Sequence, residues 1–265
     1  MSNPIALIGG EEFADGFEDV HASLLEIART ARARKNGHAV KAVFLPTCAA
    51  DDGPETVAYW CDTARSRLEA VGAHVITLPI VDEVSANDPE NARWIAEADW
   101  IYLGGGYPHV GMRILSGTRA LQALYTARQR GALIAGASAG AMMLCSVSWV
   151  ITPELDAAVT DILTQGKGLS DWDFPLPPLL DCIGIVPQSM CWPHANQFFS
   201  LKWLKNGLLP ARHTLVAVEE QTALVNTGGN GWQVLGRGKV LLVNDRYQVQ
   251  ELYSGTRIKS LYPEG

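Results

Sequence analysis

Short apolar runs alternate with longer amphipathic ones through the first 150 residues of this 265-residue chain. Ile5–Ile8, Val40–Leu45, His74–Leu78, Trp100–Leu103 and Ala132–Ala135 have the length and composition of buried strands. Between them, residues 18–35 place Val20, Leu24, Leu25 and Ile27 on one side of a helix. Pro54–Val71, Asn91–Ala98 and Met112–Gly131 also read as helical, with Gly72 placed to end the second. A strand that reaches the next through a helix pairs with it in parallel, and apolar runs without polar alternation fit strands covered on both faces. The pattern therefore predicts an α/β fold, a mostly parallel central sheet flanked by helices. Ligands in such sheets bind at the carboxyl ends of the strands.

Beyond residue 150 the pattern changes. Residues 153–181 are rich in proline and aspartate, and Trp172-Asp-Phe-Pro-Leu-Pro-Pro178 forbids a long helix there. Leu215–Val218, Ala223–Val225, Trp232–Leu235, Val240–Val243 and Gln248–Tyr253 are short runs between Gly, Asn and Asp turns, which predicts a β-rich C-terminal segment. No linker, repeat or low-complexity tract divides the chain, so residues 1–265 are expected to form a single domain.

The chain is 48% hydrophobic and 18% charged, which excludes intrinsic disorder, and its net charge of -7 argues against a nucleic-acid partner. The basic residues of the Arg29–Lys35 stretch are spaced like the solvated face of a helix. No run reaches the length of a membrane span, and the N-terminus enters a strand without a basic leader. Cys48, Cys61, Cys145, Cys182 and Cys191 are scattered with no C-x-x-C, which suits reduced thiols in a cytoplasmic protein and no metal site.

The most specific motif is Gly136-Ala-Ser-Ala-Gly140, directly after a strand-like run and before the helix-compatible Ala141–Leu144. That is the layout of a nucleophile elbow, in which a tight turn lifts a serine Oγ above the sheet. An alcohol attacks a carbonyl only with a base, a carboxylate orienting that base, and backbone N–H groups facing the developing oxyanion. Of six histidines, His21, His38 and His74 read as surface or helix-end residues, and His213 has no partner signal. His109 follows the Gly104-Gly105-Gly106-Tyr107 turn and suits a pocket wall. His194, ending an apolar run downstream of Ser138, is the leading base. Glu154, Asp156, Glu219 and Glu220 are the candidate carboxylates, and strand alternation lets only one of Glu219 and Glu220 face the site. The N–H of Ala139, with the backbone of the glycine triplet, would form the oxyanion hole. The triplet lacks the G-x-G-x-x-G spacing of a dinucleotide site, and no cofactor is expected.

With these residues in place the chain resembles the dipeptidase E and cyanophycinase family of serine peptidases, whose fold is like that of class I glutamine amidotransferases. The resemblance rests on Gly9-Gly10, Trp100-Ile-Tyr-Leu-Gly-Gly-Gly106, Gly136-Ala-Ser-Ala-Gly-Ala141, Gly184-Ile-Val-Pro before Pro193-His194, and Val216-Ala-Val-Glu-Glu-Gln-Thr-Ala-Leu-Val225. It implies Ser138 as nucleophile, His194 as base, Gly105 and Ala139 as oxyanion donors, and Gly106, Tyr107 and His109 near the substrate. For the acid it leaves two positions: Glu220 matches the carboxylate of the Glu-x-Thr-Ala-Leu strand, and Glu154 lies where dipeptidase E places an aspartate. The expected reaction is hydrolysis of a peptide or amide bond through an acyl-enzyme, on a small substrate, with no nucleic-acid or membrane partner and a homodimer as one possible assembly.

Two departures bear on specificity. Ala195–Trp203 contains no arginine, unlike the arginine-rich segment that follows the histidine in cyanophycinases, and Tyr107-Pro-His follows the glycine triplet. Both point away from cyanophycin and plain aspartyl dipeptides. The rival readings are a glutaminase-type amidotransferase, which would rely on a cysteine thiolate, and a non-catalytic binding relative. Cys145 and Cys191, near Ser138 and His194 in the sequence, read as packing thiols.

Overall fold

A computed structural model of the protein describes residues 3–31, 39–164, 177–229 and 231–262. In chain order the first half comprises β1 (Ile5–Ile8), α1 (Glu18–Ala31), β2 (Lys41–Leu45), α2 (Pro54–Ala70), β3 (His74–Thr77), α3 (Glu83–Asn87), α4 (Pro89–Glu97), β4 (Trp100–Leu103), α5 (Pro108–Leu115), α6 (Arg119–Gln129), β5 (Leu133–Ala137) and α7 (Ala139–Leu144). The second half comprises β6 (Val147–Trp149), α8 (Pro153–Thr164), β7 (Leu179–Asp181), β8 (Ser189–Trp192), α9 (Ala195–Phe198), α10 (Leu201–Trp203), β9 (Thr214–Val218), β10 (Thr222–Asn226), β11 (Trp232–Gly236), β12 (Lys239–Val243), β13 (Val249–Tyr253) and β14 (Arg257–Ile258).

Eight strands form the main sheet in the order β14-β11-β10-β1-β5-β4-β2-β3. Its β1, β5, β4, β2 and β3 pairings are parallel, and β10, β11 and β14 extend it antiparallel. All four residues of β1 are buried, with Ala6 and Ile8 packing on one side and Ile5 and Leu7 on the other. Period-two side chains buried in both directions explain why these strands read as unbroken apolar runs.

The C-terminal segment does more than lengthen this sheet. Strands β13-β12-β9-β8 make a second, four-stranded sheet in which β8 and β9 run parallel. The chain passes between sheets in the three residues 219–221, since β9 belongs to the second sheet and β10 to the first.

Several expectations need correction. The Met112–Gly131 region is two helices, because Thr118 caps a new one: its hydroxyl donates to Leu115 O at 2.7 Å and accepts from the Leu121 N–H at 3.5 Å. An extra short helix, α3, begins at Asp82, whose side chain and that of Ser85 satisfy each other's backbone N–H groups. Residues 153–164 are helical despite Pro153, which sits in the first turn where its missing N–H costs nothing. His21 is buried at 1% exposure rather than on the surface, because α1 packs on the sheet through Val20, His21, Leu24 and Leu25. His74 is exposed, whereas His38 and Trp172 lie outside the described residues.

Candidate active site

The site is built at the carboxyl ends of parallel strands. β5 and β4 are neighbours, so the turn after β5, carrying Ser138, lies beside the turn after β4, carrying Gly104–Gly106. β8 and β9 are parallel neighbours, with Trp192 opposite Ala217, so His194 and Glu220 emerge side by side. The Gly9-Gly10 turn after β1 joins the two groups. Gly9 O accepts from the His194 N–H at 2.7 Å, and Gly10 O accepts from the Gln221 N–H at 2.9 Å.

The elbow holds its strain on the serine. Ser138 has φ 50° and ψ -118°, a conformation that non-glycine residues rarely adopt. Gly136 and Gly140 are glycine for a different reason. A Cβ on Gly136 would run into the Gly140 carbonyl, and one on Gly140 into Leu103 O. The box thus lets the turn pack against itself and against β4, with the half-buried serine left at its tip.

His194 receives the same treatment. It adopts the left-handed conformation (φ 50°, ψ 38°) immediately before α9. Its Nε2 lies 3.0 Å from Ser138 Oγ and its Nδ1 2.8 Å from Glu220 Oε1. Glu220 also accepts from Asn196 Nδ2 at 3.0 Å and Gln197 Nε2 at 2.6 Å. Burial pulls the Glu220 carboxyl up, but the hydrogen bonds from His194, Asn196 and Gln197 outweigh it and leave the group below the usual carboxylate range. An ionised carboxylate only accepts, so Nδ1 carries the proton and Nε2 is left to accept from the serine hydroxyl.

Only Glu220 faces the histidine, though the two acids lie in the turn between β9 and β10 rather than on a strand: Glu219 Oε2 accepts from the Lys239 N–H at 2.9 Å. Glu154, the other candidate acid, is exposed at the start of α8. Its carboxylate is held by its own N–H and by Thr152, which ties it to the helix end rather than to His194. Gly105 packs on the serine, since a Cβ there would sit 3.4 Å from Ser138 Cβ. Ala139 begins α7, so its N–H belongs to the free N-terminal end of a helix. Cys145 and Cys191 are fully buried; burial pushes the Cys145 thiol up to about 12 and that of Cys191 well above its ordinary value, which makes both poor nucleophiles.

Two cavities meet at the serine. One of about 550 Å³ is walled by Trp149, Trp192, Phe198 and Leu155, with Tyr107, Asp52 and Asp156 at its polar side. The Tyr107 hydroxyl donates to Asp156 Oδ2 at 3.3 Å. The other, of about 780 Å³, is lined by Glu12, Phe13, Tyr59 and Trp60. Both include Glu11, Gly106, Ser138 and His194. His109, expected near the substrate, lines neither; its ring packs 5.8 Å from that of Tyr107. The roles of Gly10, Asn196 and Gln197 escaped the sequence reading. Of these, only Gly9-Gly10 carried a signal, as a glycine turn at a strand end.

A serine, a histidine and a carboxylate in relay at the top of an α/β sheet define a hydrolase of the serine type. Residues 6–234 match Peptidase family S51, and the chain belongs to that family. It is a serine-type peptidase. The fold is similar to the crystal structure of a peptidase from an acI-B1 Actinobacterium, with a TM-score of 0.79, 26% identity and 98% of each chain covered. It is also similar to a putative peptidase E protein from Listeria monocytogenes EGD-e, with a TM-score of 0.55, 18% identity, and 88% of this chain and 98% of that one covered; this likeness concerns the fold alone. No curated protein matches. Among the described residues no helix is long and apolar enough to cross a membrane.

Proposed function

We propose that the protein hydrolyses a peptide or amide bond in a small substrate by an acyl-enzyme route. The observation that carries this reading is the continuous relay from Ser138 Oγ through His194 to Glu220, at 3.0 and 2.8 Å. Ser138 Oγ attacks the scissile carbonyl while His194 Nε2 takes its proton, and Glu220 holds the imidazole in the required tautomer and stabilises the imidazolium. Negative charge develops on the carbonyl oxygen, where the N–H groups of Gly105 and Ala139 are the proposed donors. His194 then hands the proton to the leaving amine, the C–N bond breaks, and water repeats the sequence to release the acid. The cysteine-dependent glutaminase reading is disfavoured by the serine in the elbow and by the buried thiols.

The test is labelling with a fluorophosphonate. The wild-type protein is expected to be modified at Ser138 and Ser138→Ala to be inert. Unchanged labelling of that variant, or inhibition of hydrolysis by iodoacetamide, would overturn the assignment.

A further inference from the structure

The smaller of the two cavities, about 550 Å³, is walled by apolar side chains that the proposed chemistry does not use. Trp149 and Trp192 meet edge to face at 4.8 Å and are only 6% and 5% exposed, so packing fixes both rings in the wall. The Trp149 indole N–H donates to Leu208 O at 3.1 Å. Its one polar group is thus satisfied within the protein, and only apolar surface of that ring is left for the cavity. Phe198 stands edge-on to the His194 ring at 5.9 Å, and Met142 lies one turn after Ser138 in α7, its N–H donating to Ser138 O at 3.1 Å. The wall is therefore continuous with the residues that carry the nucleophile and its base.

Aromatic surface left open to water adds nothing to the fold, and in a cleft beside a nucleophile it marks where a ligand covers it. The charged groups say which ligand. Among the described residues no lysine or arginine lines this cavity, whereas Glu11, Asp52, Asp156 and Glu220 do. Asp156 accepts from the Tyr107 hydroxyl at 3.3 Å, and Glu220 is held by His194, Asn196 and Gln197. Burial, and then Asp51 and Asp156, raise the Asp52 carboxyl above its ordinary value, so a further negative charge there is unfavourable. An anionic side chain would face these acids with no cation to meet it. A neutral apolar group displaces water from the tryptophans without that cost, and burial of apolar area is what the walls supply.

We propose that the cavity walled by Trp149 and Trp192 is a substrate subsite for a large uncharged apolar side chain, aromatic or branched aliphatic, next to the bond that Ser138 attacks. This rests on the reading of Ser138 as nucleophile, and it assigns to the enzyme peptides or amides with a phenylalanine- or leucine-like residue rather than an acidic one. Leu155 on α8 and Phe198 on α9, both half-buried in the wall, set how large a group can enter.

The experiment measures how well four amides on a common stem protect Ser138 against fluorophosphonate labelling: 3-phenylpropanamide, propanamide, 3-guanidinopropanamide and succinamate. The phenyl compound is expected to protect at roughly tenfold lower concentration than each of the other three, equivalent to about 1.4 kcal/mol. Leu155→Trp, which fills the cavity, should erase most of that preference, and Phe198→Ala, which strips one wall, should reduce it. A merely structural effect of either substitution would weaken all four compounds alike. Equal protection by the phenyl compound and propanamide in the wild type overturns the proposal. So does stronger protection by the guanidinium or carboxylate compound, or an undiminished preference in Leu155→Trp. Should Leu155→Trp fail to fold, the decision passes to Phe198→Ala, in which an unchanged preference is the overturning result. If the serine does not label at all, the function proposed above fails on its own, and ligand-observed NMR titration of the same amides onto the wild type and Leu155→Trp still decides the subsite.

Discussion

Glu220 is held by three side chains, His194, Asn196 and Gln197, so its loss is expected to affect the tautomer of the histidine more than the local fold. Glu220→Gln should lower kcat by roughly 10²–10⁴-fold with KM changed little, as when a neutral amide replaces the acid of a triad. Steady-state kinetics of the variant checks this, and a drop of less than a few-fold would remove Glu220 from the relay. His21 offers a different measurement. Burial, against the weaker pull of Glu18 and with the help of Arg67, lowers its pKa to about 4 from an ordinary 6.5. Between those values the unfolded chain binds a proton that the folded one does not, so stability present above pH 6.5 is lost as pH falls toward 4. At about 1.4 kcal/mol per unit the loss is about 3 kcal/mol. Denaturation midpoints of His21→Phe should be flatter than wild type across that window; parallel curves would refute the assignment.

At the scale of elements, glycine turns hold the strand ends together. Gly10 has φ 125°, and a Cβ on it would collide with the His194 ring. Gly10→Ala is therefore expected to reduce fluorophosphonate labelling at least tenfold through displacement of the imidazole, with the far-ultraviolet dichroism of a folded protein retained. Thr118→Ala removes the cap that separates α5 from α6 and should cost about 1 kcal/mol in urea unfolding. The strands of the first half were legible in the sequence because both of their faces are buried, which makes Ile5–Ile8 and Trp100–Leu103 continuous apolar runs. Helix boundaries were less legible. The α5–α6 break and α3 depend on single caps at Thr118 and Asp82 inside amphipathic stretches, and α8 lies at the start of the proline- and aspartate-rich 153–181 stretch. Ser138 and His194 announced themselves through motif and position.

Across the whole molecule, the β-rich tail was visible but its division between two sheets was not, since pairing partners such as β8 and β9 lie more than 20 residues apart in sequence. That division governs the site: Ser138 follows a strand of the main sheet, His194 follows a strand of the second, and Glu220 sits in the passage between them. Glu219 anchors the passage through the Lys239 N–H. Glu219→Ala leaves that donor without its acceptor and is expected to cost about 1–3 kcal/mol, with activity falling before the main sheet unfolds. Monitoring labelling and circular dichroism along one urea titration checks it; coincident midpoints in the variant would argue against a separate role for the passage.

The three-residue passage also makes the serine's reactivity a gauge of assembly. Under the proposed relay, Ser138 has its base and orienting carboxylate only when β8 and the passage after β9 stand beside the main sheet. During synthesis the strands bearing Ser138 emerge well before those bearing His194 and Glu220, so the nascent chain carries an unarmed alcohol until its last third has docked. On the proposed mechanism, such a chain would hydrolyse nothing until that docking is complete.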